Sequence, residues 1–324
     1  RSRVPPLEDY AWRLWDYWER HLDPDLSIDR SLKGAVKGKV AVITGGSSGI
    51  GEAAAIRIAD AGGKVLIVAR DEEKLAEVRR TITDRGGYAK TYSCDITDYA
   101  ANDKLARDIL KDFGHVDVLV NNAGRSIRRS LALSYDRFHD FERTMQLNYF
   151  ACVRLTMNLL PSMTARKSGH VINVSSIGVL TNAPRFSAYV ASKAALESFA
   201  RCAASEFHDE GVHFTIINMP LVRTPMIAPT KIYADMPTVI SPEEAADMIA
   251  DAIIRRPQRI ATRLGVMAEI MHLLMPKLSE VVMNSAYRMF PDSSAAQGKK
   301  DGGDQRPATR EAMIFASLMR GIHW

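Results

Sequence analysis

A phenol and an ammonium stand four residues apart in the segment YVASK, at Tyr189 and Lys193. On an α-helix, side chains at positions i and i+4 share a face, so these two groups would lie side by side. An ammonium next to a phenol favours the phenolate and lowers its pKa, which would make the tyrosine a usable acid or base. The same spacing occurs on solvated helices, so the pair alone does not distinguish catalysis from a structural role.

A glycine-rich turn follows the first apolar segment, with Gly45, Gly49 and Gly51 in a GxxxGxG pattern. Such glycines let the backbone approach a pyrophosphate closely, while the next helix directs its N-terminal amides at the anion. Because the turn opens the first strand and helix, it favours a dinucleotide site over an ordinary loop. The predicted loop consists of Gly45, Gly46, Ser47, Ser48, Gly49, Ile50 and Gly51.

The end of the second apolar segment indicates which dinucleotide binds. NAD-dependent proteins have Asp or Glu there to bind the ribose 2′-hydroxyl, whereas this chain has Ala69 followed by Arg70. A guanidinium matches a 2′-phosphate in charge and shape, so we expect NADPH, with Ser47 and Ser48 as further donors. The alternative is that Arg70 is a solvated loop residue and that Asp71 binds the ribose.

The elements that would position these residues form a regular pattern between Gly38 and Thr262. Seven apolar segments alternate there with amphipathic segments of helical length: KVAVIT, KVLIVA, AKTYSC, VDVLVN, HVINVS, HFTIIN and RIAT. Apolar strands joined by helices predict an α/β fold, a doubly wound Rossmann-type sandwich around a mainly parallel, seven-stranded sheet. Three regions follow: a leader helix and linker (1–37), a dinucleotide-binding catalytic domain (38–262) and a helical C-terminal extension (263–324), flexible near 291–310.

Composition disfavours several other classes of protein. No apolar run reaches the roughly 20 residues that span a bilayer, and the net charge of +5 is spread along the chain, which disfavours nucleic acid. The three cysteines, Cys94, Cys152 and Cys202, lack CxxC spacing, so neither a disulfide framework nor a zinc site is expected. We therefore expect a cytoplasmic protein without a metal, in which no cysteine acts as a covalent nucleophile.

Taken together, the motifs resemble those of the short-chain dehydrogenases/reductases. The glycine turn, CDIT (94–97), NNAG (121–124), Asn148, NVSS (173–176) and YVASK follow one another in that family's order and spacing. The resemblance implies that Tyr189 is the acid/base and that the donor to the substrate oxygen is Ser176, thirteen residues earlier, rather than Ser175. It also implies that Asn148 holds a water linking Lys193 to solvent.

The same resemblance extends the predicted cofactor site. It implies adenine contacts from Asp95 and Ile96, a ribose contact from Asn122, and contacts from the catalytic Tyr189 and Lys193. On the nicotinamide side it implies Pro220, Val222 and Thr224. Leu221 stands where the family usually has glycine, so the path of that loop stays open.

A closer resemblance is to bacterial fatty acyl-CoA reductases that form fatty aldehydes, carried by NNAGRSIRRSL, SSIGVLTNAPRFSAYVASKAAL and MPLVRTPMIAPTKIY. It implies that NADPH reduces a long-chain acyl-CoA thioester to an aldehyde and free CoA, with Tyr189 as general acid. The tryptophan-rich leader resembles the linker before the second reductase domain of two-domain members, so it would either dock on the core or join an upstream reductase domain. The family also implies a homodimer or homotetramer, and a lipid substrate makes transient contact with a membrane surface plausible.

The predicted substrate end combines apolar and basic residues. Residues 221–240 are apolar and punctuated by prolines, which is typical of a mobile lid, and the Met-rich helices after Gly265 would extend its pocket or serve as core or oligomer contacts. The arginines that would meet CoA phosphates, or form a solvated basic rim, are Arg125, Arg128, Arg129 and Arg223.

Two other functions remain open on the sequence. One is reduction of a fatty aldehyde or ketone to an alcohol, which would use the same four residues. The other is a non-catalytic dinucleotide-binding sensor or scaffold, against which the intact Tyr189 and Lys193 argue.

Overall fold

The computed structural model describes residues 31–228 and 239–289, together with Asp292 and Ala296. The predicted leader helix, half of the predicted lid and the predicted last helix EAMIFASLMR lie outside the described residues. So does most of the stretch predicted to be flexible near 291–310.

One parallel seven-stranded sheet forms the centre of the described chain. Its strands are β1 (Val40–Thr44), β2 (Lys64–Ala69), β3 (Tyr88–Ser93), β4 (Val118–Asn121), β5 (Gly169–Val174), β6 (Val212–Asn218) and β7 (Arg259–Ala261). Their spatial order is β3-β2-β1-β4-β5-β6-β7. All seven predicted strands are confirmed, and the fold is the predicted doubly wound sandwich.

Helices cover both faces of the sheet. They are α1 (Leu32–Val36), α2 (Gly49–Asp60), α3 (Glu72–Asp84), α4 (Tyr99–Phe113), α5 (Phe138–Met145), α6 (Cys152–Ala165), α7 (Ile177–Thr181), α8 (Ser187–Glu206), α9 (Pro242–Arg255), α10 (Arg263–Leu274) and α11 (Pro276–Met289). A π-helical turn, Gln146–Ala151, joins α5 to α6. Among the described residues, none of the helices combines the length and apolar character needed to cross a membrane.

Alternation along the strands divides the core into two layers. Ile43 and Ile67 pack in one cluster with residues of α2 and α9, whereas Val42 and Leu66 pack in the other with residues of α4 and α6. Successive side chains of a strand point to opposite faces, so a strand covered on both faces must be apolar throughout. Every residue of β1 is accordingly buried.

The strand order reverses direction at β1, which lies between β2 and β4. In doubly wound sheets a crevice opens at such a switch point, outside the carboxyl ends of the strands. Here Thr44 ends β1, Asn121 ends β4 and Val174 ends β5, so the predicted motifs that follow these strands meet at one edge of the sheet.

The sheet also contains a buried imidazole, which lowers the stability of the folded protein at low pH. His170 on β5 is only 2% exposed, and its Nε2 lies 2.9 Å from the hydroxyl of Thr215. Burial, then the nearby Arg256 and His213, lower the pKa of His170 from 6.5 to about 3. The folded protein therefore keeps this ring neutral at pH values where the unfolded chain protonates it.

We predict that this histidine makes the protein less stable as the pH falls below about 6.5. Its contribution to the free energy of unfolding should drop by about 1 kcal/mol between roughly pH 7.5 and 5.5, because only the unfolded state takes up the proton. In His170→Leu the urea midpoint should depend less on pH than in the wild type, whereas His272→Gln, at an exposed position, should behave as the wild type. Equal pH dependence in all three proteins would contradict the prediction.

Candidate active site

The glycine-rich turn after β1 is closed against the NNAG segment. The side-chain amide of Asn122 donates to the carbonyl oxygens of Thr44 at 3.0 Å and Gly45 at 3.2 Å. A Cβ on Gly51 would lie 2.3 Å from the Gly45 oxygen, so only glycine fits there. Gly45 and Gly49 adopt left-handed backbone, with φ of 67° and 58°, which glycine enters without strain.

The turn leads directly into α2, and the first residues of this helix, Gly49 and Ile50, line the crevice. Ser48 is the N-cap, and its side chain makes no capping hydrogen bond within the described part of the chain. Orphan amides at the start of a 12-residue helix attract an anion. This cradle fits the pyrophosphate of a dinucleotide.

A cleft of about 1170 Å³ connects this cradle with the YVASK segment. Most predicted site residues line it: Gly45, Ser47, Ser48, Gly49, Ile50, Arg70, Asp95, Ile96, Asn122, Ser176, Tyr189, Lys193, Pro220, Val222 and Thr224. Gly46, Gly51 and Asn148 do not line it. Gly46 is instead packed against Ile67, where a Cβ would lie 2.5 Å from the side chain.

At one end of the cleft the cations Arg70 and Lys74 lie among the carboxylates Asp71 and Asp95, and all four residues line it. Arg70 extends into it with 69% of its side chain exposed, 3.8 Å from a carboxylate oxygen of Asp95. Asp71, the alternative ribose ligand, instead caps α3 by accepting a hydrogen bond from the Lys74 amide at 3.1 Å, which lowers the pKa of Asp71. Lys74 also lines the cleft and was not predicted, although a lysine in the first turn after the second strand is a readable signal.

Tyr189, Lys193 and Ser176 meet at the centre of the cleft. Tyr189 and Lys193 lie one turn apart on α8, and Ser176 caps α7, where its hydroxyl accepts a hydrogen bond from the Gly178 amide at 3.0 Å. Ser175 turns away and donates to Glu197. The neighbouring serines thus have different partners, and Ser176 is the one beside the tyrosine.

Burial shifts the pKa values of Tyr189 and Lys193. It raises the pKa of Tyr189, while hydrogen bonding with Ser176 lowers it. We expected the ammonium of Lys193 to lower the pKa of the tyrosine, but the structure directs it elsewhere: Nζ donates to the carbonyl of Val174 at 2.7 Å. The pKa of Lys193 is lowered by burial, against which Cys152 and Glu197 act.

Asn148 lies in the π-helical turn and links the Arg125 segment to Ser192 through hydrogen bonds. Its Oδ1 accepts from the Arg125 amide at 2.8 Å, and its Nδ2 donates to the Arg125 carbonyl at 2.9 Å and to the Ser192 hydroxyl at 2.9 Å. The residue is fully buried. π-turns are rare and occur often at functional sites, yet nothing in the local sequence announced this one. The water-holding role stays a prediction.

A buried carboxylate, which the sequence interpretation missed, supports the lysine. Glu197 lies one turn after Lys193 on α8, is 2% exposed, and accepts from Ser175 and, at 2.6 Å, from Asn218. Burial raises the pKa of Glu197, while its hydrogen bonds and Arg201 lower it. An acidic residue one turn after the lysine, on an otherwise apolar face, was the available signal.

The basic residues predicted for the substrate end are only partly together. Arg125, Arg128 and Arg129 line the cleft, and so does Arg143, which was not predicted. Arg223 is exposed and outside the lining, as the alternative of a solvated basic rim expects, and its segment forms a bridge that pairs Val222 with Ile240.

That bridge also gives the path of the loop after β6. The Leu221 carbonyl accepts a hydrogen bond from the amide of Ile240 at 2.9 Å, and the Arg223 amide donates to the Ile240 carbonyl at 2.9 Å. Leucine in place of the usual glycine is therefore accommodated, and Pro220 and Thr224 stay at the cleft.

Two of the three cysteines lack the lowered pKa of a nucleophilic thiol. Burial raises the pKa of Cys94, and Asp95 raises it further. Burial likewise raises the pKa of Cys152, while Cys202 is exposed on α8. A reactive cysteine needs a lowered pKa at an accessible position, and the pKa is raised both for the half-buried Cys94, which lines the cleft, and for the buried Cys152.

A doubly wound sheet with an anion cradle and a Tyr, Lys and Ser set in one cleft is the arrangement of a dinucleotide-dependent oxidoreductase. The family model for short chain dehydrogenase matches residues 39–232. The chain therefore belongs to the short chain dehydrogenase family, as the motifs predicted, and is an oxidoreductase.

Similar proteins include two fatty acyl-CoA reductases. The chain is 55% identical over 289 residues to one from Acinetobacter baylyi, covering 89% of this chain and 96% of that protein. It is 44% identical over 265 residues to one from Mycobacterium tuberculosis, covering 81% and 90%. A metagenomic short-chain oxidoreductase in complex with NADP superposes with a TM-score of 0.61 and 30% identity, over 70% of this chain and 97% of that one.

We predict that Glu197→Gln loses activity at a lower alkaline pH than the wild type does, so that its pH range of activity is narrower. Glutamine keeps the shape and the hydrogen bonding of the buried carboxylate but removes the charge that raises the pKa of Lys193. The ammonium should then deprotonate at lower pH, so the alkaline limb of the rate profile should move to lower pH. Glu206→Gln, at the exposed end of the same helix, is the control. An unshifted limb in Glu197→Gln would show that its charge does not reach the lysine.

Proposed function

We propose that this chain is an NADPH-dependent fatty acyl-CoA reductase that converts a long-chain acyl-CoA thioester into a fatty aldehyde and free CoA. The observation that carries the proposal is the 55% identity with the Acinetobacter baylyi reductase, which extends over 96% of that protein. The catalytic chemistry expected of such an enzyme matches the groups in the cleft.

NADPH is supported over NADH by the charges at the adenosine end. Arg70 and Lys74 bring two cations and Ser47 and Ser48 bring hydroxyl donors, while Asp71, which also lines the cleft, has one oxygen engaged as a helix cap. A 2′-phosphate pairs with guanidinium and ammonium groups, whereas a ribose 2′-hydroxyl calls for a free carboxylate.

The remaining cofactor contacts follow the length of the cleft. The glycine turn would hold the pyrophosphate, Asp95 and Ile96 the adenine, and Asn122 the ribose. Pro220, Val222 and Thr224 would border the nicotinamide, near Tyr189 and Lys193. Bound there, NADPH would supply the hydride that the carbonyl carbon accepts.

The chain's own groups would handle the proton and the charge on oxygen. A raised pKa keeps the Tyr189 phenol protonated at neutral pH, so it can give its proton to the carbonyl oxygen as negative charge develops there. Ser176 would donate a hydrogen bond to the same oxygen. The resulting hemithioacetal then breaks its carbon–sulfur bond, which releases the CoA thiol and leaves the aldehyde.

The substrate end offers both kinds of contact that an acyl-CoA needs. Arg125, Arg128, Arg129 and Arg143 would meet the CoA phosphates. Apolar side chains that suit the acyl chain line the same cleft, among them Leu147, Phe186, Leu221, Met226 and Ile227.

We also propose that the protein is a cytoplasmic homodimer or homotetramer. Free cysteines suit a reducing compartment. Phe150 and Met157, which are 44% and 61% exposed on the long helical segment around Asn148, suit a contact between copies.

Incubation with palmitoyl-CoA and NADPH should release one free thiol for each NADPH consumed, because reduction of a thioester frees CoA. A thiol reagent measures the release, and NADPH loss is followed by its absorbance. Oxidation of NADPH with hexadecanal but never with palmitoyl-CoA would instead indicate an aldehyde reductase, and no turnover with either would favour a sensor or scaffold. In Tyr189→Phe, thiol release should fall by about 100-fold or more, with NADPH affinity close to that of the wild type.

Arg70→Ala should weaken NADPH binding roughly 10- to 100-fold and leave NADH binding nearly unchanged, since a charge-assisted hydrogen bond to the phosphate is lost. Dissociation constants from quenching of protein fluorescence measure both cofactors. Arg79→Ala, an exposed arginine on α3, is the matched control. Equal weakening of the two cofactors would contradict a role for Arg70 at the 2′-phosphate.

A further inference from the structure

A buried ion pair joins the C-terminal extension to the loop that precedes the catalytic tyrosine. Arg185 lies between α7 and α8, four residues before Tyr189, and its side chain is 6% exposed. Its Nε lies 3.0 Å from Oδ1 of Asp292, which is 13% exposed. Arg185 also has φ of 70°, a left-handed conformation that non-glycine residues keep only when surrounding contacts enforce it.

Further bonds fasten this arginine to the last turn of α11. An Nη of Arg185 donates to the Tyr287 carbonyl at 2.9 Å, and the guanidinium carbon lies 3.8 Å from the centre of the Tyr287 ring. A guanidinium can donate in its plane and stack on an aromatic face at the same time, which lysine cannot do. Arg185 therefore holds the extension through an ion pair, a hydrogen bond and a cation–π contact.

The same pair holds the arginine-rich loop that follows NNAG. The Ser130 amide donates to Oδ1 of Asp292 at 3.0 Å, and the Arg129 amide donates to the Arg185 carbonyl at 2.8 Å. Three segments distant in sequence thus meet at one carboxylate and one guanidinium: the 125–130 loop, the 182–186 loop and the extension.

All three segments border the substrate end of the cleft. Phe186, next to Arg185, lines the cleft with its ring centre 6.4 Å from that of Tyr189. Ala296, four residues after Asp292, is buried and lines the cleft as well. The glycine turn and Arg70, which form the cofactor end, take no part in these contacts.

We infer that Arg185 and Asp292 are positioning residues for substrate specificity: their pair holds Ala296, the described residue of the C-terminal extension that lines the cleft, at the wall against which the acyl chain binds. The nature of the substrate rests on the proposed function. Breaking one partner leaves a buried charge uncompensated, so the extension should move away and rehydrate it. A long acyl chain, which reaches the wall, then loses more binding than a short one.

The test compares Asp292→Asn, Arg185→Lys and the double variant with palmitoyl-CoA and octanoyl-CoA. In Asp292→Asn we expect the KM for palmitoyl-CoA to rise about 10-fold or more, with the KM for octanoyl-CoA, kcat and the Kd of NADPH within about threefold of the wild type. In the double variant the KM for palmitoyl-CoA should rise no further than in the more impaired single variant, because the two substitutions remove the same interaction. Asp247→Asn, which breaks the exposed Arg57 and Asp247 pair of 2.6 Å, is the control and should change nothing.

Two results would overturn the inference. One is an unchanged KM for the long substrate in Asp292→Asn. The other is an equal loss in KM for both chain lengths, in kcat and in NADPH affinity, which would mark a general structural defect. If Asp292→Asn does not fold, Arg185→Lys provides the test. Lysine keeps the charge but cannot both donate to the Tyr287 carbonyl and stack on the Tyr287 ring. An unchanged ratio of the two KM values in Arg185→Lys would equally overturn the inference.

Failure of the proposed function has a different signature. A wild type that reduces hexadecanal but not palmitoyl-CoA refutes the acyl-CoA assignment, and the same variants are then compared with hexadecanal and octanal. A selective rise in the KM for hexadecanal would support the role of the pair, and its absence would overturn that role, whichever reaction the enzyme performs.

Discussion

The junction between the ends of β1 and β4 is the constraint on which the site depends. The Thr44 hydroxyl accepts hydrogen bonds from the amides of Asn122 and Ala123 at 3.1 and 3.0 Å, and the Asn122 side chain returns to the carbonyls of Thr44 and Gly45. One threonine and one asparagine thus hold the anion cradle in register with the strand that leads to the catalytic half. Because the strands are parallel and buried on both faces, this register cannot slip without exposing the core.

Desolvation governs the other half of the cleft. Burial raises the pKa of Tyr189 and lowers that of Lys193, so both neutral forms are favoured relative to water. The Val174 carbonyl and Glu197, one turn further along α8, offset the desolvation of the charged form of Lys193. An acid that holds its proton until negative charge develops on a bound oxygen is the form that reduction of a carbonyl requires, and a protonated lysine nearby would stabilise the phenolate left behind.

The sequence predicted what depends on local pattern. Apolar alternation identified all seven strands, and backbone sterics explain the glycine turn, because a Cβ on Gly51 would overlap the Gly45 carbonyl. What it could not predict depends on tertiary contacts. The π-turn around Asn148 follows from bonds to Arg125 and Ser192, and the orientation of Lys193 toward Val174 depends on how α8 packs against β5. The choice between a CoA contact and a solvated rim for Arg223 stayed open because charge alone does not reveal which way a loop residue faces.

The two ends of the cleft are built by different means, and this difference explains why one is easier to read from sequence. The cofactor end consists of strand ends and a helix start, whose geometry is repeated wherever this sheet forms. The substrate end is assembled from loops and the C-terminal extension, joined by Arg185 and Asp292 across 107 positions of the chain. A change in such loops can alter the substrate while the sheet, the cradle and the proton donor stay in place. Because the contacts of Arg185 and Asp292 lie outside the sheet and the anion cradle, this part of the chain can vary at less cost to the fold than the strand ends can.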